Sequence, residues 1–101
     1  MAFVWSHDLS KSTTEELYTV YLAIARADHE ARSLALYGHQ PPPQGHFVHR
    51  PLPRSEFAGR LRSAGTIPQG DALFRARLAR QAAVYAIDVA AILDRRDRLA
   101  A

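Results

Sequence analysis

Apolar positions recur with a helical period along two long stretches of the chain. In the first, Leu17, Val20, Tyr21, Ile24, Ala27, Ala31 and Leu34 follow one another at spacings of three and four, while Glu16, Arg26, Glu30 and Ser33 lie on the opposite side. This pattern predicts an amphipathic helix over about 13–37. Ser12 with Glu15 and Thr13 with Glu16 both have the spacing of a capping box, and Gly38 followed by Pro41-Pro42-Pro43 supplies the stop. The second stretch predicts a helix over about 71–98. From Ala82 to Leu93 it is apolar on every side except at Asp88. A helix of that kind has to be covered all round, and this run is too short to span a bilayer, so the cover should be protein.

Between these stretches the pattern changes. Residues 38–54 contain Gly38, Gly45 and five of the six prolines, which predicts an extended connector of polyproline character. A short helix is expected over about 55–64, with Ser55 as N-cap, Phe57 and Leu61 as its apolar side and Gly65 at its end. Asp71 is the expected cap of the last helix. Residues 1–11 read as an N-terminal arm whose Phe3, Val4 and Trp5 dock on a helix. The expected architecture is all-α, one helical domain over 1–101, with two long helices packed together. Alanines at every fourth position, Ala23 to Ala35 and Ala82 to Ala90, suggest close approach of their axes.

This arrangement leaves a surplus apolar surface on the last helix. Val84, Ile87, Asp88 and Ala91, with Phe74 and Leu78 nearer its start, are the candidate interface residues. The expected occupant is a second copy, making a homodimer with a four-helix-like core, or another protein partner.

Composition narrows the class. An apolar fraction of 48% suits a globular chain, and the absence of cysteine rules out disulfides and thiolate metal sites. No stretch has the length of a membrane span, and the start lacks the pattern of a secretory signal, so no membrane partner and a cytoplasmic location are expected. The net charge of +3 is unevenly placed. Residues 1–49 carry −2 and residues 50–101 carry +5. Arg54, Arg60, Arg62, Arg75, Arg77 and Arg80 are therefore the candidates for binding nucleic acid or another anion, although arginine-rich composition by itself has no binding function.

Asp88 is the most unusual residue. Its neighbours at three and four positions are Val84, Tyr85, Ala91 and Ile92, so a partner inside its own helix is lacking. Arg26, Arg32, His29, a tyrosine hydroxyl or a group on another chain is expected to meet it, since a buried carboxylate without a partner is costly. His46 and His49 have only a weak metal-ligand spacing, and neither a phosphate loop nor a nucleophile elbow is present, so no metal, cofactor or catalytic residue is assigned. Three functions follow in order: a non-enzymatic helical interaction or regulatory protein docking through its last helix, an arginine-driven nucleic-acid binder, and a small helical enzyme taking an anionic substrate near Asp88.

Overall fold

The computed structural model describes residues 8–38 and 49–100, with side chains up to residue 96. These residues form four helices and no strand: α1 (Thr14–Tyr37), α2 (Arg54–Gly65), α3 (Gly70–Val84) and α4 (Val89–Ala100). The chain is all-α, and its two longest helices, α1 and α3, pack together as the hydrophobic pattern requires. Helix α2 lies against both, and α4 packs on α1. Phe3, Val4 and Trp5 of the arm and the proline triplet of the connector lie outside the described residues. Among the described residues no helix is long and apolar enough to cross a membrane.

Of the two possible capping boxes on α1, the second forms. Thr13 Oγ1 accepts from the Glu16 amide at 3.1 Å, and Glu16 Oε1 accepts from the Thr13 amide at 2.8 Å. Glu15 is thereby released to pair with Arg54, which ties the start of α1 to the start of α2. At the other end Gly38, with φ of 63°, closes α1 by donating to the Leu34 carbonyl at 2.8 Å.

The expected caps of the next two helices do not form. Helix α2 begins at Arg54 after Pro53, whose carbonyl accepts from the Phe57 amide, and Ser55 already lies inside the first turn. Helix α3 begins at Gly70, one residue before Asp71, which turns to Arg75 instead of capping. The turn between α2 and α3 explains this early start. A Cβ on Gly70 would stand 2.0 Å from the Ala64 carbonyl oxygen, so only glycine lets α3 begin against the last turn of α2.

The largest departure is in the stretch 71–98, which is two helices. Ala86 takes φ of 54°, the Ile87 amide donates to Ala82 O at 2.9 Å, and the Ala86 amide donates to Ala83 O at 3.0 Å. These are the paired bonds of a Schellman motif, with alanine in the left-handed position that glycine usually occupies. Two residues later Asp88 Oδ1 accepts from the Ala91 amide at 3.0 Å and caps α4. The break answers the demand for cover within the chain itself. It folds Ile87 back onto the core, buries Val89 and leaves Val84 outside.

The core consists of Leu9, Leu17, Val20, Ile24, Phe57, Leu61, Leu78, Ala79, Ala82 and Val89. Ala82 is buried in the seam, but Ala31, Ala35, Ala86 and Ala90 are exposed, so the two alanine stripes do not form the contact. Helix α1 meets the seam with Leu17, Val20 and Ile24. Phe57 is fully buried where three helices converge, its ring 5.3 Å from Tyr18, 5.1 Å from Tyr21 and 5.6 Å from Phe74 between centroids.

The left-handed alanine sets up a stability test. An L side chain in that conformation costs on the order of 1 kcal/mol that glycine avoids. Ala86→Gly should therefore raise unfolding free energy by about 0.5–1 kcal/mol in urea titrations. Asp88→Ala should lower it by about 1 kcal/mol through loss of the cap. One continuous helix would reverse the first sign, since glycine is poor in a helix interior.

Candidate functional site

Helix α1 carries a second stripe beside its core face. Tyr21, Ala25, Asp28 and Arg32 recur at four, three and four, and so share one side of the helix. Facing them are Gln81 and Tyr85, four apart at the end of α3, and the segment His49-Arg50-Pro51 that leads into α2. Together these elements enclose a cleft of about 450 Å³, with Ile24 and Ala25 on its apolar side.

The segment is held by two tyrosines one turn apart. Tyr18 donates its hydroxyl to the Leu52 carbonyl at 2.9 Å, and Tyr21 accepts from the Leu52 amide at 2.8 Å. Both backbone polar groups of Leu52 are thus satisfied by α1 side chains, and the residues just before it are brought to the cleft. There His49 meets His29, with ring centroids 5.1 Å apart.

The main polar contact of the cleft joins α1 to the end of α3. Tyr85 donates its hydroxyl to Asp28 Oδ1 at 2.5 Å, and Arg32 Nε donates to the other carboxylate oxygen at 2.9 Å. The Tyr85 hydroxyl, followed by Arg32, holds the Asp28 carboxyl below its ordinary range, against partial desolvation acting the other way. The same bond pushes the Tyr85 phenol above its ordinary value. At neutral pH the pair is therefore carboxylate and neutral phenol.

Asp88 does not belong to this cleft as the sequence suggested. It is exposed and caps α4, because the helix break puts it at an N-terminus where free amides take the place of a cation. Its expected partners are engaged elsewhere: Arg32 and Tyr85 with Asp28, and Arg26 with Glu30 at 3.2 Å. The other interface candidates divide. Leu78 is core, Phe74 and Ile87 are half-buried against it, and Val84 and Ala91 are exposed.

The six arginine candidates divide as well. Arg54 is paired with Glu15. Arg75 is 16% exposed, with its Nε on Asp71 at 2.9 Å and its Nη1 on the carbonyls of Ser12 at 2.7 Å, Leu9 at 2.9 Å and Ser10 at 3.3 Å. It clamps the turn that carries buried Leu9, a structural role that sequence alone did not disclose. Arg60, Arg62, Arg77 and Arg80 are exposed. Of the weakly spaced histidine pair, His46 lies outside the described residues, and among the described ones no three His, Asp or Glu side chains converge as a metal site.

Two measurements check these assignments. Arg75→Ala should lower stability by about 1.5–3 kcal/mol, the scale of hydrogen bonds to a charged group, whereas Arg77→Ala should stay within about 0.5 kcal/mol of the parent. Tyr85→Phe should lower the melting temperature at neutral pH. The Asp28 contribution is present above the ordinary carboxylate pKa of about 3.9 and is lost as pH falls through the depressed folded value. The Tyr85 contribution is present below about pH 10 and is lost as pH rises through its raised value. The gap between parent and variant should therefore be widest between these limits and narrow beyond each.

No protein-family model, curated protein or solved structure matches the chain.

Proposed function

We propose that this chain is a small non-enzymatic interaction protein that docks on a protein partner through the outward face of α3. The observation carrying this reading is the makeup of that face. Leu73, Ala76, Arg77, Arg80 and Val84 fall on one stripe of the helix, opposite buried Leu78, Ala79 and Ala82. Leu73 is 57% and Val84 72% exposed, so two large apolar side chains flank two exposed cations. From Leu73 to Val84 the stripe runs roughly 16 Å, three turns of helix.

Charge selects the occupant. A second copy using the same face in a two-fold contact would bring Arg77 and Arg80 against their own equivalents. An amphipathic helix with apolar residues flanked by Asp or Glu would instead cover Leu73 and Val84 and meet both arginines. Nucleic acid would use the arginines but leave the two apolar side chains without a role.

The reading is tested with a helical peptide carrying leucines at i, i+3 and i+7 and glutamates beside them. The expected result is micromolar binding that persists at moderate salt and falls at least tenfold in Leu73→Asp/Val84→Asp. Failure to bind the peptide, or binding to random duplex DNA that is tighter and unaffected by the double substitution, would overturn it. So would light scattering that shows a dimer dispersed by the same substitutions, which would make the occupant a second copy.

A further inference from the structure

We propose that the cleft between α1, His49-Arg50-Pro51 and the end of α3 is a binding site for a small aromatic carboxylate. This rests on features separate from the α3 face, and either reading can fail without the other. At about 450 Å³ the cleft has the size of small-molecule sites, and its lining combines a small apolar patch with a larger share of polar and charged side chains. Ile24, Ala25 and Pro51 supply apolar surface, and the His29 and His49 rings supply flat faces. A planar apolar body fits such surroundings better than a compact hydrated ion does.

The charge balance sets the sign of the ligand. From α1 come Asp28, His29 and Arg32, from the segment before α2 come His49 and Arg50, and from α3 come Gln81 and Tyr85. The single acid is already met on both oxygens, by Tyr85 and by Arg32. Arg50 is exposed and makes no ion pair among the described residues, and Gln81 adds an amide donor. What the cleft lacks is one negative charge opposite Arg50, whose planar fork suits a carboxylate held by two parallel bonds. A single carboxylate balances that one guanidinium, and a dianion would exceed it.

The site also lies where binding can be felt by the fold. Its walls are joined by the Tyr85–Asp28 bond, the grip of Tyr18 and Tyr21 on Leu52 and the contact between the His29 and His49 rings. A ligand bridging Arg50 and Gln81 adds a connection between the segment before α2 and α3, and so should raise the melting temperature.

Benzoate, its neutral isostere benzamide and acetate serve as probes, followed by amide chemical-shift titration of the whole chain. Benzoate is expected to bind with Kd on the order of 1 mM or tighter. Its shifts should centre on Ala25, His29, Arg50, Gln81 and Tyr85. Benzamide and acetate should each bind at least tenfold more weakly, since one lacks the charge and the other the ring. Arg50→Ala and Gln81→Glu alter exposed positions outside the core. Both should keep the parent's melting temperature without ligand and weaken benzoate at least tenfold. Equal binding of benzamide, equal binding of acetate, unchanged affinity in both variants, or shifts centred on Arg60, Arg77 or Arg80 would overturn the assignment.

Discussion

Phe57 is the contact on which the other features depend. Its ring is fully buried on the side of α2 and touches Tyr18 and Tyr21 of α1 and Phe74 of α3. Burying such a ring contributes roughly 3 kcal/mol, a large share of the net stability of a small domain. Its geometry also matters. The two tyrosines stack on each other, with centroids 5.9 Å apart, and meet Phe57 at a tilt, while both hydroxyls reach Leu52. Their rings therefore serve the core and their hydroxyls hold the polypeptide just before α2. That second role brings His49, Arg50 and Pro51 to the cleft, so the candidate site is a consequence of how the aromatic core is made.

Two other devices compensate for the small size of this core. Arg75 reaches from α3 to the carbonyls of residues 9, 10 and 12 and so brings Leu9 under cover. The carbonyls of a tight turn have no ladder partners, and a guanidinium with several donors in a fixed plane is suited to collect them. The second device is the break between α3 and α4. One straight helix through residues 84–93 would expose apolar side chains on the side away from α1. Ending α3 at Val84 and starting α4 at Val89 turns α4 onto α1, at the cost of placing Ala86 in a left-handed conformation.

These solutions also sort the charged residues. Arg54 and Arg75 hold elements together, Arg26 and Arg32 pair along α1, and Arg60, Arg62, Arg77 and Arg80 are left on the surface. The positive balance of the second half of the chain is thus partly structural. What remains exposed on α3 lies between Leu73 and Val84.

The sequence by itself determined the helical class, the course of α1 and the position of α2. Those features rest on local periodicity, on Thr13 with Glu16, and on the stop at Gly38, all of which are encoded within a few residues of where they act. It also carried one sign of the α3–α4 break, an acid at 88 in an otherwise apolar run. It did not register as a break because the apolar run continues through it and no glycine or proline interrupts it. Tertiary structure decided the rest. Whether Arg75 binds an anion or a turn, and that Asp28 meets Tyr85, depend on contacts between residues 57 to 66 positions apart. Such contacts join elements that are far apart in the chain and packed around Phe57, and no local pattern records them.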